Sequence, residues 1–147
     1  MEGLHLTADL SGCEQRAPWM LEPAALRRLC LEAVETSRLT AVAELFHGFA
    51  AAPDGSPGGV TGVVLLAESH LAVHTWPESG VVTLDAFVCN HSADNSERAE
   101  VLVTALLSAM APLAVTRQGW RRRAAGVQDG TRTNPDESGR MVNCSGE

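Results

Sequence analysis

The side chains best suited to chemistry are concentrated in the middle of the chain. His70, His74 and Glu78 follow one another at intervals of four residues. On a strand, residues four apart share a face, so His70 and His74 could offer ligands to a metal ion. A zinc site usually needs a third firm ligand, however, and Pro77 interrupts the strand before Glu78. We therefore expect no metal at these residues, and a hydrogen-bonded or solvated histidine is the simpler interpretation.

Ser69 and a neighbouring histidine could also be the nucleophile and base of a hydrolase, because a serine hydroxyl needs a base to attack. Hydrolases of the α/β type carry this serine in a G-x-S-x-G motif at a strand-to-helix turn. Here Ser69 follows Glu68, and the residues on both sides are typical of strands. The sequence therefore does not favour a hydrolase.

Alternating apolar and polar residues, together with β-branched runs, predict that this stretch belongs to a sheet. A run rich in Gly and Pro after residue 49 predicts a loop before the central strands. The predicted strands cover residues 3–10, 41–49, 60–67, 71–76, 81–89 and 113–115.

Apolar residues at helical spacing predict two helices, one beginning at Pro23 and one before Pro112. Asp94 and Glu97 have the spacing of a capping box at the start of the second helix. This element order predicts a two-layer α/β sandwich, with a mainly antiparallel sheet and both helices packed on one face. We expect one domain over 1–118 and a polar, disordered tail over 119–147.

Charge and composition limit the class of partner. The chain has 147 residues and a formal net charge of −7, which argues against a nucleic-acid surface because phosphate binding needs clustered Lys and Arg. No apolar run reaches the roughly 18 residues of a membrane span, and the first residues lack the basic start of a signal peptide. We therefore expect a cytoplasmic protein. Four cysteines without a C-x-x-C pair indicate neither a zinc knuckle nor a redox motif.

Two motifs carry a family resemblance. The sequences AESHL at 67–71 and HTWPE at 74–78 together resemble the processing motif of the prokaryotic S-adenosylmethionine decarboxylase proenzymes. The similarity extends more loosely from GLHL at 3–6, through FHGF at 46–49, to Cys89 and the second helix.

The resemblance implies that the chain cuts itself between Glu68 and Ser69. In that family the serine hydroxyl attacks the preceding carbonyl, the amide becomes an ester, and β-elimination and hydrolysis leave a covalent pyruvoyl group. Ser69 would thus supply the cofactor, and the products would be residues 1–68 and 69–147. By the same resemblance, His74 assists processing by proton transfer and Thr61 occupies the position of an assisting serine.

The resemblance also implies the roles of further residues in catalysis. The pyruvoyl ketone forms a Schiff base with the substrate amine and acts as an electron sink while CO₂ leaves. Cys89 aligns with the residue that protonates the resulting carbanion, and Glu78 aligns with an acidic residue that binds ribose hydroxyls. Phe46 and Phe49 could stack on the adenine, although two such residues in a strand are more often part of the core.

The sequence indicates the substrate less specifically than it indicates the self-cleavage. Relatives often continue after the second motif with a tyrosine-rich segment, whereas this chain has no tyrosine. The first hypothesis is decarboxylation of S-adenosylmethionine for polyamine biosynthesis. L-Arginine or L-ornithine decarboxylation is the alternative, and a non-catalytic or metal-binding domain is a distant third. The family also implies a homodimer whose active sites draw on both protomers.

Overall fold

The computed structural model describes residues 2–90, 94–123, 133–135 and 141–143. Its helices and strands, in chain order, are β1 (Glu2–Ser11), α1 (Pro18–Leu21), α2 (Pro23–Thr36), β2 (Ala41–Gly48), β3 (Val60–Leu66), β4 (Ser69–Trp76), β5 (Val81–Cys89), α3 (Ser96–Met110), β6 (Ala114–Arg123), β7 (Thr133–Pro135) and β8 (Met141–Asn143).

Six of the strands form one antiparallel sheet in the order β2-β3-β4-β5-β1-β6. Three consecutive hairpin-connected strands, β3 to β5, occupy its middle. The first strand of the chain, β1, lies between β5 and β6 and pairs with both. The strands β7 and β8 pair only with each other. This arrangement confirms the predicted antiparallel α/β sandwich.

The core lies between one face of the sheet and the helices, because alternate strand residues are apolar. Leu71 and Val73 of β4 and Leu102 and Leu106 of α3 are fully buried there. Burying each such side chain contributes about 1.5–3 kcal/mol relative to leaving it exposed. The helices thus cover one face of the sheet and leave the other, which we call the open face, without a covering layer from the described residues.

The last strand of the large sheet is longer than predicted. It begins at Ala114 and continues to Arg123, whereas Leu113 precedes it and is 88% exposed. All residues of β6 are exposed at the sheet edge, so no buried stripe marks the strand in the sequence. The strand includes 119–123, which the sequence analysis assigned to the tail, and most of 124–147 lies outside the described residues.

The predicted capping box of the second long helix is not formed. The helix begins at Ser96, and its N-cap residue is Asn95, which makes no side-chain capping bond. The Asp94 carboxylate instead accepts a hydrogen bond from the Ser96 N–H at 2.9 Å, two residues along the chain. The short helix α1 was also absent from the prediction, because four residues are too few to show a helical period.

Within the described part of the chain, no helix is both long enough and apolar enough to cross a membrane.

Candidate active site

The connection between β3 and β4 is a tight turn that places Ser69 at the first position of β4. Leu66 and Ser69 are directly paired, so only Ala67 and Glu68 link the two strands. Glu68 has a φ of 61°, in the left-handed region. For a residue with a Cβ this conformation costs about 1–2 kcal/mol, so the peptide before Ser69 stores local strain.

The turn brings Ser69 and Cys89 together, as the sequence analysis expected of two residues at one site. The Cys89 N–H donates a hydrogen bond to Ser69 Oγ at 3.0 Å. Cys89 is buried, and its carbonyl accepts a hydrogen bond from Asn95 Nδ2 at 3.0 Å. A cavity of about 510 Å³, the Ser69 cavity, contains Glu68, Ser69 and Cys89 in its wall and is bordered by Arg98.

Thr61 and His74 form a second pair on neighbouring strands. They are directly opposite each other in the β3–β4 ladder, and Thr61 Oγ1 lies 2.7 Å from His74 Nδ1. Which of the two atoms donates depends on the imidazole tautomer. The hydroxyl and the ring therefore form one hydrogen-bonded unit able to accept or release a proton.

This pair borders a larger cavity of about 580 Å³, the His74 cavity, beneath the loop between β2 and β3. Phe49, Trp76 and Glu78 also line it. The loop approaches closely because Gly59 has no side chain: a Cβ there would lie 2.0 Å from the Thr75 carbonyl oxygen. The cavity combines aromatic surface with one carboxylate, and its volume is typical of small-ligand sites.

Phe46 does not line the His74 cavity. Its ring lies against the Cα of Gly62, where an added Cβ would come within 2.3 Å of the ring, and it packs at the edge of the core. The packing favours the core role that the sequence analysis weighed for this residue. Phe49, by contrast, is 57% exposed, and its ring meets His47 edge-on at 5.1 Å between centroids.

The two cavities lie at opposite ends of the same hairpin. The Thr61–His74 pair is five positions along β4 from Ser69, which corresponds to about 16 Å at the rise of a strand. Side chains alternate between the two faces along a strand, so residues five positions apart, such as Ser69 and His74, lie on opposite faces of the sheet. Within one chain, His74 therefore cannot contact the Ser69 hydroxyl.

The three cysteines among the described residues are all buried. Burial raises the pKa of the Cys30 thiol to about 12 and also raises that of Cys13. These two thiols stay protonated near neutral pH and act as core side chains. Cys89 differs from them because it lines the Ser69 cavity: its backbone N–H contacts Ser69, and its thiol donates to the Glu2 carbonyl at 3.6 Å. Cys144 lies outside the described residues.

His70 does not join His74 and Glu78 in one cluster. It lies four positions from His74 along β4, about 13 Å at the rise of a strand. Instead, His70 Nε2 lies 3.2 Å from Asp85 Oδ1, an oxygen that is also 2.9 Å from His5 Nε2. No sequence pattern marks this group, because only the register of β1, β4 and β5 brings the three residues together.

Known proteins resemble the chain along most of its length. The family model described as S-adenosylmethionine decarboxylase matches residues 4–119. An S-adenosylmethionine decarboxylase proenzyme of Pyrococcus furiosus is 32% identical over 117 residues, covering 80% of this chain and 78% of the relative. A proenzyme of the same name from Aquifex aeolicus is 36% identical over 104 residues, covering 71% of each chain.

A solved structure agrees with these relatives. The crystal structure of the adenosylmethionine decarboxylase from Aquifex aeolicus superposes with a TM-score of 0.71 and 29% sequence identity. The match covers 87% of this chain and 96% of that one. Sequence and fold thus confirm the resemblance that the AESHL and HTWPE motifs indicated. The chain belongs to the pyruvoyl-dependent S-adenosylmethionine decarboxylase family.

Proposed function

We propose that this chain is a self-processing decarboxylase that converts S-adenosylmethionine to the aminopropyl donor of polyamine biosynthesis, with a pyruvoyl group made from Ser69. The single observation that carries the proposal is the turn before β4. A strained Glu68 there precedes a serine whose Oγ is fixed by a backbone N–H. The names of the relatives favour S-adenosylmethionine over arginine or ornithine.

The turn supports cleavage in two ways. Cutting the chain after Glu68 releases its left-handed backbone, so the roughly 1–2 kcal/mol stored there favours the product. The Cys89 N–H donates to Ser69 Oγ, and a donor at this place stabilises negative charge as the oxygen attacks and later leaves in β-elimination. Both effects act on the peptide bond between Glu68 and Ser69.

The surroundings of Ser69 also suit the group that cleavage would leave. A pyruvoyl carbonyl supplies an electron sink for loss of CO₂ from an amine substrate. Cys89 is buried and lines the same cavity as Ser69, and its thiol donates to the Glu2 carbonyl at 3.6 Å. From this cavity the thiol could deliver a proton to the substrate carbon. The Ser69 cavity leaves room for a substrate at this position.

The His74 cavity supports binding of the nucleoside part of the substrate. A carboxylate accepts hydrogen bonds from both hydroxyls of a ribose, a role that suits Glu78. The exposed ring of Phe49 can stack on a flat base. We leave Phe46 out of this role because of its packing against Gly62.

We infer that a complete site needs two copies of the chain. Thr61 and His74 are the groups proposed to assist processing, yet they lie about 16 Å from Ser69 in the same protomer. The open face also exposes Leu45, Leu65 and Trp76, apolar side chains that a twin could cover. Ser69 shares the covered face with Leu71, but it lies at the end of β4 beside the turn, where a partner can approach along the strands. A homodimer in which Thr61 and His74 of one protomer reach the Ser69 turn of its partner at this end of the sheet would bring the two sets of groups together.

The test of processing is the mass of the purified protein. We expect two fragments, residues 1–68 and 69–147, with the second beginning in a pyruvoyl group. Ser69→Ala should leave the chain whole, whereas Ser79→Ala, in the exposed turn after β4, should cleave normally. An intact wild-type chain with an unmodified Ser69 would refute the proposal.

The test of substrate is release of labelled CO₂ by the cleaved protein. S-Adenosylmethionine, arginine and ornithine should be compared side by side at the same concentration. We expect release from S-adenosylmethionine. Release from arginine or ornithine alone would refute the proposed substrate while leaving the processing chemistry intact.

A further inference from the structure

Two imidazoles and one carboxylate converge in the middle of the open face. His70 of β4 and His5 of β1 are both paired in register with Phe87 of β5, so they flank that strand from either side. Asp85 lies two residues before Phe87 and on the same face of β5. Both histidines turn their Nε2 atoms toward its carboxylate.

The distances match those between the ligands of a small metal ion. His5 Nε2 lies 2.9 Å from both Asp85 oxygens, and His70 Nε2 lies 3.2 Å from Oδ1. One ligand atom from each of the three residues lies within 4.8 Å of the others. Bonds of about 2.0–2.1 Å at tetrahedral angles place neighbouring ligand atoms about 3.3–3.4 Å apart. The histidine–carboxylate distances are within about 0.5 Å of this spacing, and a bound ion would draw together the remaining ligand atoms, which lie within 4.8 Å of one another.

The environment leaves one side of the cluster accessible. The side chain of His5 is 15% exposed, because its ring packs against Trp120 at 4.6 Å and against Phe87 at 6.0 Å between centroids. Asp85 is 41% exposed and His70 38%. A fourth ligand, such as water, can thus approach from the side of β4. The guanidinium of Arg122 lies over the Phe87 ring, 4.8 Å from its centroid.

We propose that His5, His70 and Asp85 bind one Zn²⁺ ion per protomer, with the fourth position open to solvent or to a partner chain. Two imidazoles and one carboxylate are a ligand set that Zn²⁺ accepts, and hard ions such as Mg²⁺ prefer an all-oxygen set. None of these residues belongs to the processing or catalytic groups proposed above. The site would tie together β4, β5 and β1, three neighbouring strands of the sheet.

The experiment is a Zn²⁺ titration of the whole, tag-free protein, measured by isothermal titration calorimetry. Metal is first removed from the protein with a chelator. We expect one ion per protomer. Asp85→Asn and His70→Gln should each weaken binding by more than about 100-fold, since loss of a ligand exceeds the roughly 10–100-fold effect of losing an outer partner. The matched control is Asp9→Asn, an exposed carboxylate on the same face of β1, which should bind Zn²⁺ like the wild type.

Co²⁺ provides a second readout that needs no variant. A tetrahedral or five-coordinate Co²⁺ site absorbs visible light strongly, whereas an octahedral aqueous ion absorbs weakly. Strong absorption that Zn²⁺ abolishes supports the proposal. Weak absorption, or Zn²⁺ binding that is equal in the wild type and in both variants, refutes it. Cleavage at Ser69 is measured separately by mass, so neither outcome depends on the proposed decarboxylase activity.

Discussion

The proposed sharing of an active site between protomers predicts that two inactive variants rescue each other. Ser69→Ala removes the reacting hydroxyl, and His74→Ala removes the imidazole that assists it. Proton transfer needs heavy atoms within about 3.2 Å, whereas the two residues are about 16 Å apart along β4. Neither variant alone should cleave. In a mixed dimer, the chain with intact Ser69 faces a partner with intact His74, and that chain should be cut.

The expected yield follows from the symmetry of the dimer. When the two variants are co-expressed in equal amounts and pair at random, about half of the His74→Ala chains lie in mixed dimers. About half of all His74→Ala chains should therefore be cleaved, and no Ser69→Ala chain should be. Distinct masses for the two variants allow each chain to be followed in one spectrum.

Two results would contradict this reasoning. If His74→Ala alone cleaves at the wild-type rate, His74 does not assist processing. If His74→Ala alone is inactive and co-expression rescues nothing, although sedimentation shows mixed dimers, the assisting residue acts within its own chain. A control pair, Glu35→Ala with Ser69→Ala, should show normal cleavage of every chain that retains Ser69, because Glu35 is exposed on α2 and lies outside the β3–β4 ladder.

Two further predictions concern single side chains. Cys89→Ala should leave cleavage intact, because the backbone N–H that contacts Ser69 remains, but should lower turnover about 10²–10⁴-fold in a CO₂-release assay; equal loss of cleavage would argue against the proton-donor role. Thr75→Val should lower the free energy of unfolding by about 2–5 kcal/mol in a denaturant titration. The buried Thr75 Oγ1 accepts a hydrogen bond from the Val60 N–H and donates one to the Met20 carbonyl, both at 2.8 Å, and valine leaves both of these backbone groups without a partner.

The control for the stability prediction is Thr104→Val. Thr104 lies on the exposed face of α3, so its substitution should change the free energy of unfolding by no more than about 0.5 kcal/mol. A similar small change at Thr75 would show that water replaces the lost hydrogen bonds.

The strands that bury one face were predictable from the sequence. The strand predicted over 81–89 has the same bounds as β5, and Pro23 begins α2 as its position indicated. The edge strand β6 was predicted too short, because an element exposed on both faces leaves no apolar period. The order of the strands in the sheet could not be predicted from the sequence either, because the pairing of β1 with both β5 and β6 depends on contacts between distant parts of the chain.

The site was predictable in its residue types and less so in its geometry. The motifs identified Ser69 and Cys89, which the structure brings into contact. The five-residue interval between Ser69 and His74 already implied opposite faces of a strand, yet the motif presents them as one unit. His5 and Asp85 received no role from the sequence, because their meeting with His70 depends on the register of three strands.

The position of β1 determines what a cut after Glu68 would do to the molecule. The fragment 1–68 would retain β1, β2 and β3, while the fragment 69–147 would hold β4, β5 and β6. Because β1 lies between β5 and β6, the two fragments would be interleaved within one sheet, and neither could leave without breaking three ladders, β3–β4, β5–β1 and β1–β6. Refolding after denaturation would then be a second-order reaction whose rate depends on protein concentration, whereas the uncut chain folds in a first-order process. Self-cleavage would thus change how the molecule refolds as well as its chemistry, because two fragments must then find each other.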